Sequence, residues 1–242
     1  MSSNHNSIPA LTTAQMIEVD RAMIEDYHIE LIQMMENAGR NFGELARRQV
    51  GGTVKDKSIV VLCGSGNNGG GGMTAARHLH NWGAQVIVAL PKPADEYRGI
   101  PAHQLDILQR MKIPIVDSAS LLPTPSLILD AIIGYSLSGP PRGVAADFIR
   151  WANMQDVPVL SLDTPSGLDV TSGTAHDPTI RATTTLTLAL PKHGLLNPQS
   201  SAFVGDLYLA DISVPSELYA KIGIAVPPLF AESALIQVHL DG

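Results

Sequence analysis

Short apolar runs bounded by glycine or proline alternate along the chain with segments of helical periodicity. Most of these apolar runs are typical of strands buried on both faces: 58–64, 84–90, 126–134, 157–163, 183–190 and 205–211. Helical spacing between them predicts helices over 70–82, 99–112 and 141–154. This alternation predicts a parallel sheet covered by helices on both faces, and hence an α/β fold.

Two further helices are predicted before the first strand. In "TTAQMIEVDRAMIEDY", Met16, Val19 and Met23 recur at helical spacing after a threonine start signal, and a second helix is predicted over 31–50. We interpret this pair as an N-terminal addition to the sheet. The chain is then divided into a flexible N-terminus, one domain and a weakly determined C-terminal tail: 1–11, 12–221 and 222–242.

The composition argues against several classes of partner. Of the 242 residues, 45% are hydrophobic and 16% are charged, the net charge is −7, and no basic run is longer than Arg47-Arg48. We therefore expect neither a nucleic acid nor a membrane as partner, and small molecules are favoured.

The single cysteine, Cys63, excludes an intrachain disulfide and fits a reducing compartment. Because no signal-like N-terminus and no long apolar window is found, a soluble, cytoplasmic protein is expected.

The segment after the first predicted strand is rich in glycine and asparagine. Its sequence "GSGNNG", residues 64–69, matches the G-x-G-x-x-G pattern, in which backbone amides and a helix N-terminus can hold a phosphate. We expect residues 64–72 to form a loop, with the helix starting near Gly70. The dinucleotide fingerprint also needs an acid at the end of the second strand, but Asp95 is the first acid there, which disfavours an ordinary dehydrogenase. A tight turn capped by asparagine is the structural alternative.

Two later loops at predicted strand ends carry carboxylates. In "LDAIIGYSLSGPPRG", Asp130 stands among apolar residues and needs a cation or hydrogen-bond donors if it stays charged. In "SLDTPSGLDVTSG", Asp163 ends a strand before a sharp turn that contains Ser166, and capping of that turn is the alternative role for Asp163. Since the carboxyl ends of parallel strands share one edge of a sheet, we expect these side chains and Asn68 to meet in an oxygen-rich pocket.

Together these motifs resemble the YjeF N-terminal domain family, which includes the NAD(P)HX epimerases. The resemblance runs from about residue 12 to 216 and rests on the segments above together with "MMENAG" (34–39), "LALPKHGLL" (188–196) and "GDLYLADISVP" (205–215). It implies a Rossmann-like three-layer α/β/α sandwich with a mostly parallel sheet. It also implies an isomerase of metabolite repair that interconverts the R and S hydrates of damaged NADH and NADPH.

The resemblance implies a set of site residues by position. Asn68, Asp130 and Ser166 match the family's potassium ligands, and hard oxygen donors without Cys or His suit such a cation. The residues expected to contact the hydrated nucleotide are Asn67, Asn68, Gly69, Gly70, Gly71, Gly134, Tyr135, Ser136, Leu137, Ser138, Gly139, Pro140 and Asp163.

Epimerisation of a hydroxyl-bearing carbon beside a ring nitrogen requires a bond at that carbon to break and reform. Loss and return of water is one route, ring opening is another, and both move protons. Asp163 is the candidate catalytic acid or base, because Asp130 is, by the resemblance, engaged with the cation.

One position departs from the family pattern. Family members typically have "GNNGGDG", whereas Gly71 stands here in place of the carboxylate. The difference bears on catalysis more than on binding, so a catalytically degenerate nucleotide-binding or protein-interaction module is the alternative function.

Lys192 and His193, which follow a strand, are candidate contacts for a phosphate. In many bacterial relatives the domain is fused to a dehydratase, so we expect a separate dehydratase to act with this chain, and a homodimer is left open.

Overall fold

The residues that the structure describes form one eight-stranded sheet with a single antiparallel edge. The structure is a computed structural model that describes residues 8–239. The strands are β1 Ser58–Cys63, β2 Gln85–Ala89, β3 Ile115–Val116, β4 Leu127–Ala131, β5 Val159–Leu162, β6 Thr184–Leu188, β7 Asp206–Ala210 and β8 Leu235–Val238. Their order in space is β3-β2-β1-β4-β5-β6-β7-β8. All neighbouring pairs are parallel except β7 and β8, which confirms the predicted mostly parallel sheet.

Helices cover both faces of this sheet. They are α1 Thr13–Glu25, α2 Leu31–Gln49, α3 Asn67–Asn81, α4 Gly99–Arg110, α5 Gly143–Asn153, α6 Ser201–Val204 and α7 Ser216–Lys221. The central strand β1 shows the layering: Val61 and Cys63 pack in one core with α2, α3 and α4, whereas Val60 and Leu62 pack in another with α5. A third core joins α1 and α7 to the β7 end of the sheet. The predicted three-layer α/β/α sandwich is therefore confirmed.

Helix α3 begins at Asn67, inside the glycine-rich segment that was predicted to be a loop, so that prediction is wrong. Its first two turns contain the glycines 69–72, although glycine in a helix costs about 1 kcal/mol relative to alanine. Close packing explains this choice, because a Cβ on Gly70 would lie 2.5 Å from Met35 Sδ in α2. A Cβ on Gly72 would lie 2.5 Å from the Cβ of Ala131 in β4. The glycines thus let α3 approach both α2 and the sheet.

The two ends of the predicted domain also differ from expectation. The segment predicted to be a C-terminal tail supplies β8, whose Leu235 and Val238 are buried, so the sheet extends beyond the predicted boundary at residue 221. At the other end, Leu11 is fully buried and its N–H donates to the Pro191 carbonyl at 2.7 Å, so Leu11 is not part of a flexible segment. Residues 1–7 and 240–242 lie outside the described part of the chain. Among the described helices, none combines the length and apolar character needed to cross a bilayer.

The close approach of α2 to α3 can be tested with two glycines of α2. A Cβ on Gly39 would lie 2.5 Å from Thr74 Cγ2 and 2.7 Å from the Gly71 carbonyl oxygen. We expect Gly39→Ala to lower the free energy of unfolding by about 1–3 kcal/mol through overpacking. Gly43→Ala is the matched control, because its Cβ would make an ordinary 3.4 Å contact with Trp82. That variant should gain up to about 1 kcal/mol from the helix propensity of alanine. Chemical denaturation measures both, and equal changes in the two variants would contradict this explanation.

Candidate functional site

A cavity of about 350 Å³ opens at the carboxyl edge of the parallel strands, a size that suits a small molecule. The loops after β1, β4 and β5 line one side of it with residues 65–68, 132–136 and Asp163. Helices α1 and α2 form another wall of it through Met16, Asp20, Leu31, Met34, Met35 and Ala38. The two helices interpreted as an N-terminal addition therefore form part of the site.

Asp163 is held at the floor of the cavity by an ion pair. It directly follows β5, is 3% exposed, and has a backbone φ of 66°, a left-handed conformation that few residues other than glycine adopt. Its Oδ1 accepts a hydrogen bond from Lys192 Nζ, and its Oδ2 accepts one from the Tyr135 backbone N–H at 3.1 Å. Charge and backbone geometry together fix this carboxylate, which is more than the capping of a turn requires.

Lys192 is fully buried, and its ammonium group binds acceptors within the described part of the chain. Besides Asp163, Nζ donates to the Thr187 hydroxyl at 3.2 Å and to the Leu188 carbonyl at 3.0 Å. These contacts use all three ammonium protons. Lys192, a predicted contact for a phosphate, therefore pairs with Asp163 in the structure. The other predicted contact, His193, is exposed and is not among the cavity-lining residues.

Tyr135 joins the two walls of the cavity. Its hydroxyl donates to Asp20 Oδ2 in α1 at 2.5 Å, while its backbone N–H binds Asp163. Burial raises the pKa of Asp20, and the negative charge of Asp163 raises it further, while the hydrogen bond from Tyr135 and the charge of Lys192 act in the opposite direction. The sequence analysis did not single out Asp20. The available signal was its position four residues after Met16 and three before Met23, within the apolar stripe of α1.

Asp130 lies at the end of β4 and is fully buried without a lysine or arginine partner among the ion pairs of residues 8–239. Four hydrogen bonds reach its carboxylate: from the Ser161 hydroxyl at 2.8 Å, from the Ser166 N–H at 2.9 Å and hydroxyl at 2.6 Å, and from the Ile132 N–H at 3.2 Å. Burial raises the pKa of Asp130 because hydrogen bonds to neutral donors offset only part of the lost hydration. The environment of this carboxylate therefore favours a nearby positive charge.

The structure brings together about half of the residues predicted to contact the nucleotide. Those that line the cavity are Asn67, Asn68, Gly71, Gly134, Tyr135, Ser136 and Asp163. Those that do not line it are Gly69, Gly70, Leu137, Ser138, Gly139 and Pro140. Gly134 lies between two of the loops, since a Cβ there would be 3.3 Å from Asn68 Cγ and 3.4 Å from Asp163 Oδ2. Of the three predicted cation ligands, Asp130 and Ser166 contact each other directly and Asn68 lines the cavity.

Gly71 faces the cavity from α3. A Cβ at this position would lie 2.8 Å from Leu162 Cδ2, so the Leu162 side chain occupies the space next to the expected carboxylate. Three other ionisable groups, Asp20, Asp163 and Lys192, line the same cavity. The substitution therefore removes one side chain from a site that keeps its other ionisable groups.

The fold and the cavity define a Rossmann-like α/β protein whose oxygen-rich site lies at the carboxyl edge of the parallel strands. A family model described as "YjeF-related protein N-terminus" matches residues 31–194, and the chain belongs to this family. The family resemblance stated from the motifs is thereby confirmed.

Several proteins are similar to this chain over most of its length. It is 40% identical to an NAD(P)H-hydrate epimerase of Dehalogenimonas lykanthroporepellens, over 90% of this chain and 87% of that protein. A protein of the same name from Rhodopirellula baltica is 32% identical over 90% of this chain and 89% of its own length. The bifunctional NAD(P)H-hydrate repair enzyme Nnr of Moorella thermoacetica is 37% identical over 87% of this chain, which spans 41% of that enzyme. The crystal structure of yeast ynu0 has the same fold, with a TM-score of 0.81 and 24% identity over 95% of this chain and all of that one.

The ion pair between Asp163 and Lys192 predicts a non-additive pattern of stability. Lys192→Met should lower the free energy of unfolding by about 3–5 kcal/mol, because it leaves a buried carboxylate without its counter-charge. The double variant Lys192→Met/Asp163→Asn should be more stable than the Lys192→Met single variant, since it removes the unpaired charge. Denaturant unfolding of the wild type, both single variants and the double variant measures the coupling. Additive losses would contradict a buried ion pair.

Proposed function

We propose that this protein is an epimerase that interconverts the R and S hydrates of NADH and NADPH. The observation that carries the proposal is the cavity at the carboxyl edge of the sheet, in which a buried Asp163–Lys192 pair faces a wall formed by α1 and α2. The similarity to proteins named NAD(P)H-hydrate epimerase supports it and covers about nine-tenths of the chain.

The N-terminus of α3 suits the phosphate region of such a substrate. Asn67 and Asn68 form its first turn and line the cavity, with Gly66 as the N-cap. The backbone N–H groups of a first turn have no partner within the helix, and the helix dipole adds positive potential there. In this arrangement the nucleotide phosphates lie at α3 and the hydrated nicotinamide ring reaches Asp163.

Asp163 is the proposed acid–base group for the ring. Its carboxylate oxygens each accept one hydrogen bond from the protein, which leaves lone pairs free for a proton on the substrate hydroxyl or on water. The Lys192 ammonium lies beside this carboxylate and donates to its Oδ1. A positioned acid or base of this kind contributes about 10²- to 10⁴-fold to a rate.

The residues around Asp130 fit a potassium ion, which we propose as the cofactor. The carboxylate of Asp130 and the hydroxyl of Ser166 offer oxygen ligands, and Asp130 has no other counter-charge among the described ion pairs. The Asn68 side chain has a buried Nδ2 without a hydrogen-bond partner among the described residues, and a half-turn of the amide would present Oδ1 there. When bound, the ion would supply positive charge beside the Asp130 carboxylate. We also propose that a separate dehydratase consumes the S hydrate.

The proposed activity is tested by chiral chromatography of the R hydrate of NADPH with and without the protein in potassium buffer. The wild type should produce the S hydrate, and Asp163→Asn should lose at least about 10²-fold in rate. Because Asp163 also holds Lys192, the variant is assayed well below its own unfolding midpoint. Asp156→Asn, an exposed acid just before β5, is the control and should keep the wild-type rate. Unchanged turnover in folded Asp163→Asn would place the catalytic group elsewhere.

The proposed cation predicts a potassium-dependent stability. A bound ligand stabilises the folded state by RT ln(1 + [L]/Kd), or about 2.7 kcal/mol at one hundred times Kd. We expect a higher Tm in potassium chloride than in choline chloride at equal ionic strength, and Asp130→Asn should abolish the difference. Asp147→Asn, an exposed carboxylate on α5, should retain it. Equal Tm values of the wild type in both salts would contradict the potassium site.

A further inference from the structure

The cavity contains a second carboxyl group that the proposed chemistry has not yet used. Asp20 belongs to α1 and lines the same cavity as Asp163. Tyr135 contacts both acids, with its backbone N–H on Asp163 Oδ2 at 3.1 Å and its hydroxyl on Asp20 Oδ2 at 2.5 Å. One residue therefore fixes the positions of two carboxyl groups that line the same cavity.

The two carboxyl groups differ in their partners. Asp163 is paired with the buried Lys192 ammonium, so its charge is compensated. Asp20 forms no ion pair among the described residues and is bound by a neutral hydroxyl. The neighbouring cation on α1, Arg21, instead pairs with Glu18, Glu25 and Asp26. A pair of carboxyl groups in such different surroundings is typical of sites in which one group acts as acid and the other as base.

We propose that Asp20 is the catalytic acid of the epimerisation and that it protonates the departing hydroxyl group of the hydrated nicotinamide ring, with Asp163 as the base on the other side. This assignment rests on the proposed epimerase function. Asp20 Oδ2 is occupied by the Tyr135 hydroxyl, so Oδ1 carries the proton that is donated.

The proposed step conserves atoms and electrons. The Asp20 carboxyl proton moves to the hydroxyl oxygen as the carbon–oxygen bond breaks, and the lone pair of the ring nitrogen forms a carbon–nitrogen double bond. The product of this half-reaction is one water molecule. Water then adds to the opposite face of the same carbon, its proton moves to Asp163, and the nitrogen regains its lone pair. Exchange with water returns the proton from Asp163 to Asp20 before the next turnover, and the reverse reaction exchanges the two roles.

The groups that face Asp20 determine the pH dependence. Tyr135 donates to it directly, and Asp163 and Lys192 lie close enough for their charges to affect its pKa. Tyr219 of α7 lies close enough for the charge of Asp20 to raise the pKa of that phenol. Burial and Asp163 raise the pKa of Asp20, whereas the Tyr135 hydroxyl and Lys192 lower it. An acid acts in its protonated form, so the rate should fall as pH rises through the pKa of Asp20. Loss of the Tyr135 hydroxyl removes one influence that lowers this pKa and should move the alkaline limb to higher pH.

The test uses three variants of the full chain and the R hydrate of NADPH as the probe. Asp20→Asn keeps an oxygen for the Tyr135 hydroxyl but removes the proton, and its kcat should fall at least about 10²-fold with little change in KM. Tyr135→Phe keeps the backbone bond to Asp163 and loses only the hydroxyl, so its pH profile of kcat/KM should shift alkaline. Glu25→Gln is the control, because Glu25 lies on the outer face of α1 and should leave both kcat and the profile unchanged.

Each result decides between the hypotheses. An active wild type whose folded Asp20→Asn variant keeps its kcat overturns the role of Asp20 and leaves the epimerase function intact. A wild type that does not interconvert the hydrates overturns the proposed function, and the assignment of Asp20 with it. If Asp20→Asn does not fold, as judged by its thermal unfolding, the Tyr135→Phe profile decides. An alkaline limb that coincides with the wild type then overturns the assignment.

Discussion

The close packing of α3 against α2 and the sheet is the constraint on which the site depends. Without side chains at positions 69–72, the helix lies near enough to β4 and β5 for its first turn to reach the cavity. The same approach brings α2 over the carboxyl edge of the sheet, where Met34 and Met35 become part of the wall. Four helical glycines cost about 3–4 kcal/mol relative to alanine, and the packing between α2, α3 and the sheet must offset that cost.

Asp20 and Asp163 line the cavity and Asp130 is buried at the end of β4, and each of these three carboxyl groups has a different compensation. Asp163 has the Lys192 ammonium, Asp130 has four hydrogen-bond donors, and Asp20 has a single phenol. Because burial alone favours the neutral form of a carboxyl group, these differences determine which groups are charged. An ion pair favours a fixed charge and a phenol tolerates a neutral acid. The donors around Asp130 offset only part of the cost of burying its charge, which is the physical reason for proposing a cation there.

The sequence predicted the sheet, its helices and the family because these depend on local patterns. Strands β1, β2, β4, β5, β6 and β7 each lie within one of the predicted apolar runs. The strand β3 has two residues and β8 lies in a segment without clear periodicity, so neither gave a local signal.

The partners of buried charges were also beyond prediction. Lys192 and Asp163 are 29 residues apart, and Asp20 and Tyr135 are 115 residues apart. No pattern within a helix or strand specifies such a contact, whereas the chain order of the motifs was enough to place Asp163 at a strand end.

Hydrogen bonds at two places connect α1 to the segments that carry Lys192 and Asp163. Immediately before α1, Leu11 bonds to the backbone on both sides of Lys192, accepting from the His193 N–H and donating to the Pro191 carbonyl. Farther along α1, Asp20 is bound by Tyr135, whose backbone holds Asp163. Any displacement of α1 therefore strains the segment that carries the ammonium group and the loop that orients its carboxylate partner. A shift of about 1 Å in a reacting group can reduce a rate 10²-fold. The contacts of Leu11 and Asp20 therefore make the position of α1 important for the geometry of the site, although α1 lies outside the Rossmann-like core.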